Sequence, residues 1–468
     1  MKKYVFVLSF IFLIVCVFTA TPAFSADTDF VIEDGVLLSY SGSSSNVTIP
    51  SSVTVIANNA FEKNTTLKSV SLGSSVLSIG NEAFYGCTAL ESISGGDNVN
   101  YVGALAFVDT KFLNNSSDEF LTIGGALVRY NGTSATVTLP DTIKTISPYA
   151  FLRNSKITSF KANKNLTSIG EGAFYECTSL ALIDVTNYLS FVGADAFYGT
   201  KWMSTQNDFA VLGDGVLVSY NGSASAVIIP ATVRSIAPNA FYENKNINSV
   251  TIPASVFLLG ARAFMNCNNL SEVVLNNGLV MIDDEAFAQC TSLSSVSTPA
   301  TLVKVGKGAF IKCSKLSTAF INGNNLSIDY GAFAHCTSLE AVLLSSDVSA
   351  IGSDAFSNDA ELKAISIPPE VISVTADSFD NCDFVTVVTD EDSSADLALS
   401  SSCEVSYNRG DCGLDGVVDV IDATLVQRHM ATISTLENKC LPFADADFDG
   451  SISVLDATYI QRYVAGLI

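Results

Sequence analysis

The chain has 468 residues, 48% of them hydrophobic, and carries 47 acidic against 24 basic side chains, a formal net charge of −23. A single hydrophobic core does not extend over such a length, so several domains or a repeat array are expected. The excess of carboxylates repels a polyphosphate backbone and argues against nucleic acid as a partner, while two histidines, His335 and His429, are too few for a multi-histidine metal site.

The N-terminus opens with Met1, Lys2 and Lys3, continues with an apolar run over residues 4–18, and places Ala23 and Ser25 at the −3 and −1 positions of a cleavage site. This pattern predicts a signal peptide over residues 1–25 and a secreted mature chain. Bulky Val15 before Cys16 argues against lipidation there. No later stretch has the roughly 18 uninterrupted apolar residues of a membrane span.

From there the sequence repeats. An aromatic follows a small residue at Phe61, Phe84 and Phe107, at Phe151, Phe174 and Phe197, and at seven positions from Phe241 to Phe379, at intervals of 23 or 44 residues. Apolar residues recur at matching offsets, as in Ile247, Val250, Ile252, Val256 and Leu259 after Phe241. Each unit therefore sets its apolar side chains at the same points of one coil, and stacked coils share a continuous core. The longer intervals hold a glycine-punctuated alternating unit ending at Pro140 or Pro230, with an earlier copy ending at Pro50, which reads as a β-hairpin. Three modules of three, three and seven coils follow, each opening with a hairpin. Within a coil the alternating stretch 67–72 predicts a strand, and the Ala-Phe-Xaa-Xaa-Cys stretch a helical turn or 3₁₀ piece.

Motifs such as Gly80, Asn81, Glu82, Ala83, Phe84, Tyr85, Gly86 and Cys87 resemble the BspA-like leucine-rich repeats of bacterial surface antigens. The fold class expected is thus an α/β-type repeat solenoid with a 23-residue period and three inserted hairpins, spanning residues 27–407. The resemblance implies adhesion or protein binding without a common ligand. From about residue 383 the period breaks into a β-like, helix-like and extended sequence, as expected of a cap over the last open edge.

Seven cysteines fall three residues after the repeat phenylalanine: Cys87, Cys177, Cys267, Cys290, Cys313, Cys336 and Cys382. One small, soft side chain per coil filling the same interior slot predicts buried thiols rather than a metal site. Outward strand positions are mostly small and polar, such as Ser69, Ser71, Ser295 and Ser297, and no pair of carboxylates stands out from the frame. No catalytic residue is assigned. Toward the third module the outward slots turn apolar at Val274, Phe320 and Leu343, a candidate ligand patch.

Composition changes at Asp411, where two twelve-residue loops begin 34 residues apart. Calcium takes six to eight oxygens, and the loops offer them at matching points: Asp411, Asp415, the Val417 carbonyl, Asp419 and Asp422 in the first; Asp445, Asp447, Asp449, Ser451, Ser453 and Asp456 in the second. Gly413 stands where the second loop has Asp447, so the first site is expected to be the weaker. A helix is predicted after each loop. The duplicated loop with aspartate at its twelfth position resembles a type I dockerin, over residues 409–468. That resemblance implies two bound Ca²⁺ ions and a cohesin partner on a scaffold protein. It places recognition at Val420, Ile421, Gln427 and Arg428 and, in the second copy, Val454, Leu455, Gln461 and Arg462. Apolar pairs at the start of an exposed helix call for a partner to cover them. Pairing among Cys403, Cys412 and Cys440 stays open.

The function expected is a non-catalytic, extracellular, cell-surface cellulosome component whose repeats bind a protein or a polysaccharide. The alternative is an accessory or regulator of plant polysaccharide hydrolysis, or a cryptic hydrolase, since most dockerins are attached to such enzymes.

Overall fold

The computed structural model describes residues 29–185, 189–383 and 385–468; the predicted signal peptide lies outside them. The chain divides into two compact units, one ending at Gln206 and taking in residues 212–214, the other holding residues 207–211 and 215–468. No helix among the described residues is long and apolar enough to cross a membrane.

The first unit contains two modules of the same design. In each, an antiparallel hairpin opens the module, Phe30–Glu33 with Val36–Tyr40 and Phe120–Ile123 with Ala126–Tyr130. The second hairpin strand then leads a parallel sheet with one short strand per coil, Val55–Ile56, Ser78–Ile79 and Tyr101–Val102 in the first module. A second parallel sheet, Asn46–Thr48, Ser69–Leu72 and Ser92–Gly95, is paired in the register of the repeat, Asn46 beside Ser69 beside Ser92. One-turn helices follow the last coils, Lys111–Asn114 and Lys201–Ser204, capped by the hydroxyls of Thr110 and Thr200.

The second unit repeats this plan over seven coils. One sheet runs through eight strands from Phe209–Leu212 to Val348–Ile351. Opposite it, Ala226–Ile228, Ser249–Ile252 and Glu272–Leu275 form a three-stranded sheet, and a six-stranded sheet follows from Ser295–Ser297 to Glu404–Ser406. Its last two strands, Thr386–Val388 and Glu404–Ser406, pair in parallel although the 23-residue period has ended, with the helix Ser394–Leu399 between them.

The core is a column of identical contacts. From Phe241 to Phe379 each ring stacks on the next with centroids 4.5–5.6 Å apart and interplanar angles of 4–17°. Each of the seven repeat cysteines donates its Sγ–H to the carbonyl of the phenylalanine 26 residues earlier, at 3.0–3.2 Å. Six of these thiols are buried and Cys382 is half-buried; all ten cysteines among the described residues are free. Burial pushes Cys87 and Cys177 up to about 11 and Cys267 up to about 12. They are inert interior donors.

Two features depart from the sequence expectation. The Ala-Phe stretch is a turn rather than a helix, because left-handed residues bracket each phenylalanine, Glu82 (φ 54°) and Gly86 (φ 69°) around Phe84. Its amides alternate between the neighbouring coil and their own, Phe84 N–H bonding to the Ala106 carbonyl at 2.8 Å and Tyr85 N–H to the Glu82 carbonyl at 2.9 Å. The last coil has no following copy, and there the stretch does become a 3₁₀ helix, Ala376–Phe379. Asp359 occupies the slot that holds cysteine in neighbouring coils. It is fully buried; Oδ1 accepts the Cys336 N–H at 2.7 Å and Oδ2 has no partner. Burial pushes its carboxyl up to about 9, so it sits protonated among the thiols at neutral pH.

Candidate metal centre

Toward its C-terminus the second unit turns helical. Its helices Val420–Met430 and Val454–Val464 pack on each other around Ala423, Val426, Ala457 and Ile460, with Val418 and Ile452 against the same core. Each helix begins in a capping box: Asp419 with Asp422, and Ser453 with Asp456. The aspartate ending each loop therefore also fastens the start of its helix.

In the first loop, Asp422 Oδ1 accepts the Gly413 N–H and Oδ2 the Asp419 N–H, both at 2.8 Å, and Asp411 Oδ2 accepts the Gly416 N–H at 2.9 Å. The second loop is wired alike: Asp456 Oδ1 accepts from Asp447 at 3.3 Å and additionally from Ala446 at 2.8 Å, Oδ2 accepts from Ser453 at 2.7 Å, and Asp445 Oδ2 accepts from Gly450 at 3.2 Å. Gly416 (φ 86°) and Gly450 (φ 80°) make the sharp turns that a side chain would strain. Asp415 is exposed and Asp419 half-buried; Val417 and Ser451, whose carbonyls belong to the ligand pattern, lie at the loop surface.

The loops differ in charge density. Asp445, Asp447 and Asp449 bring one carboxylate oxygen each within 4.8 Å of one another, the single such acidic group among the described residues. Gly413 gives the first loop no counterpart. Asp445 is fully buried and its Oδ1 has no hydrogen-bond partner. Burial, then the neighbouring Asp456, Asp449 and Asp447, pushes its carboxyl up to about 8, and burial with Asp447 and Asp449 lifts Asp456 to about 7. An orphaned oxygen among crowded carboxylates is what a hard divalent cation satisfies, so the residues present fit calcium.

The sequence of residues 36–209 and 217–386 matches the family profile described as the BspA type leucine rich repeat region, in six copies. The chain belongs to this BspA-type leucine-rich-repeat family. Residues 409–465 match the type I dockerin domain, a calcium-binding module. Neither is catalytic, and no catalytic domain is evident. The chain is similar to a leucine-rich repeat protein from Bacteroides ovatus, at 21% identity over 80% of this chain and 100% of that one, with a TM-score of 0.33. It is also similar to a leucine rich cell surface protein from Faecalibacterium prausnitzii, at 20% identity over 83% of this chain and 96% of that one, TM-score 0.28. A leucine-rich repeat protein from Eubacterium ventriosum matches at 20% over 74% and 88%, TM-score 0.32. No curated protein matches significantly.

The dockerin leaves its two helix starts open. Val420, Ile421, Val454 and Leu455 are 60–62% exposed, and Gln427, Arg428, Gln461 and Arg462 are exposed along the same helices. Cys412 and Cys440 are buried free thiols and Cys403 a half-buried one. His429 accepts the Leu436 N–H at 3.1 Å, a structural contact, and His335 is an exposed turn residue at φ 61°.

The apolar positions Val274, Phe320 and Leu343 do not form one open patch. Val274 is 40% exposed, Phe320 is half-buried and Leu343 is fully buried, because the short dockerin helix Leu441–Ala444 packs over the strand Ala341–Leu344. That cover comes from a segment about a hundred residues later, which the repeat frame alone does not reveal.

Proposed function

We propose that this protein is a secreted, non-catalytic binding component of a cellulosome, attached by calcium-dependent docking of residues 409–468 to a scaffold cohesin, with the solenoid of residues 27–407 binding a protein or polysaccharide surface. The observation that carries this reading is the pair of apolar dipeptides, Val420 with Ile421 and Val454 with Leu455, equally exposed at the starts of two helices that share one core. Isolated apolar surface of this kind gains free energy only when a partner covers it. Gln427, Arg428, Gln461 and Arg462 supply the polar rim.

Two calcium ions hold the helix starts in place, the tighter in the loop of Asp445, Asp447, Asp449 and Asp456, the weaker in the loop of Asp411, Asp415, Asp419 and Asp422. Near-identical copies make two docking orientations available, related by a rotation of about 180°. The experiment is a titration of a cognate cohesin against Val420→Asp/Ile421→Asp, Val454→Asp/Leu455→Asp and the fourfold variant. Either pair alone should leave binding intact, and all four changes should weaken it by roughly 3 kcal/mol or more. Unchanged binding by the fourfold variant, with calcium retained, would place recognition elsewhere.

A further inference from the structure

The two dockerin loops are near copies in sequence, yet their surroundings differ. At the fourth loop position Leu414 is 39% exposed and Phe448 is 2% exposed. At the sixth, a Cβ on Gly416 would meet nothing within 4 Å, whereas one on Gly450 would collide with Asn322 Oδ1 and come within 3.0 Å of the Ser345 amide nitrogen. The second loop is pressed against the solenoid. Its Phe448 carbonyl accepts the Ser346 N–H at 2.9 Å. Beside it, Asn438 donates to Glu340 Oε2 at 2.8 Å, and Arg409 lies over the Phe448 ring at 4.5 Å and reaches Asp390 at 3.4 Å. Phe443 packs on Ala364 and Val388.

The solenoid is shaped for this contact. At the outward slots of the strands opposite the eight-stranded sheet, Glu272, Ser295 and Ser297 are exposed. The equivalent slots of the next coil hold Thr318, 8% exposed, and half-buried Phe320, and those of the two coils after it Ala341, Leu343, Ala364 and Ser366, all at 0–1% exposure. Small side chains at Ala341, Ala364 and Ser366 let the dockerin approach, and Leu343 continues an apolar slot that Phe320 holds in the coil before it.

We propose that the outward face of the last solenoid coils is a docking surface for the chain's own dockerin, which it grips by the second calcium loop, so that calcium at that loop and docking reinforce each other. This rests on the reading of residues 445–456 as a calcium loop. The physical link is short. Asp447 and Asp449 flank the Phe448 carbonyl that the solenoid holds, and Gly450 adjoins both Asp449 and the solenoid backbone. A cation drawing Asp445, Asp447 and Asp449 together fixes the backbone that Ser346 binds; without it the carboxylates repel and the loop loosens. Linkage is reciprocal, so docking must raise the affinity of the second loop by the factor by which calcium favours docking. Both apolar helix starts remain outside the contact, so the arrangement holds the solenoid in a set orientation while leaving either face free for a cohesin.

The test uses the full chain carrying Ala341→Glu with Ala364→Glu, changes the repeat tolerates because Glu272 occupies the same slot. Ser295→Glu, on the same face beyond the contact, is the control. In calcium, hydrogen exchange at Ser346 and over residues 441–450 should accelerate in the double variant alone, and calorimetry should show the tighter calcium site weakened about tenfold. In a second arm, Asp445→Asn, which removes a ligand and no solenoid contact, should deprotect Ser346. Unchanged protection of Ser346 in either variant overturns the proposal, as does lost protection with unchanged calcium affinity. Cohesin binding should persist in the double variant, so failure here is distinguishable from failure of the cellulosomal reading, which the wild-type cohesin titration decides.

Discussion

In the solenoid the core contacts recur coil after coil, whereas the dockerin repeats its own only twice, around crowded acidic loops. A ring in the phenylalanine column has a like neighbour within 5.6 Å on each side, and seven thiols bond to seven carbonyls in the same way. Removing one rung leaves the rest in place, as expected where each coil answers only to its neighbours. The dockerin instead surrounds a small core with acidic loops whose carboxylates crowd one another, Asp445 being raised to about 8. One region owes its stability to many weak, alike terms; the other depends on a counter-charge. The same chain thus holds a part that resists change and a part that responds to its surroundings.

The comparison is broken most severely by removing divalent cations. A chelator at pH 8 should abolish the helical signal of residues 420–464 and leave the solenoid folded, melting in its own transition, as circular dichroism and calorimetry on the full chain would show. A single shared transition would contradict the division.

A smaller effect sharpens it. Burial and crowding raise Asp445 to about 8 and Asp456 to about 7, above the ordinary carboxyl value of 3.8, so the metal-free fold binds more protons than the unfolded chain. The metal-free module should therefore gain stability as pH falls from 8 toward 5, by roughly 1–3 kcal/mol once screening is allowed for. With calcium bound the trend should reverse, because protons then compete for the same oxygens. Denaturant unfolding at both pH values, with and without calcium, measures this.

The smallest effect lies in the column itself. Asp359, also raised to about 9, costs stability whenever the unfolded chain ionises it. Asp359→Cys restores the repeat residue and should raise stability by about 1–3 kcal/mol at pH 7 to 9, with little change near about pH 2, where both states are protonated. Thermal melts at the two pH extremes would show it.

Most of the fold was legible because one frame was written thirteen times: the period, the hairpins at 90-residue spacing and the interior cysteine slot all followed from aligned copies. The loops were legible for the same reason, since their ligand spacing recurs after 34 residues. What escaped is local or distant. The short strands such as Ser78–Ile79 span two residues, too few to show alternation. The left-handed turns at Glu82 and Lys312 use ordinary residues where glycine would have signalled them. Asp359 was visible in the frame as a carboxylate in a thiol slot, a signal that counting cysteines alone passes over. The covering of Leu343 depends on a partner segment far along the chain, and no pattern within a coil encodes it.

The column of unpaired thiols has a consequence in time. While folded, six of its sulfurs are sealed from solvent and each is engaged by a carbonyl, so oxidants find little to attack. Unfolded in oxidising surroundings, the same sulfurs are free to cross-link in many wrong combinations. The native state is therefore protected for as long as it stays closed, and a molecule that unravels outside a reducing environment has no simple way back.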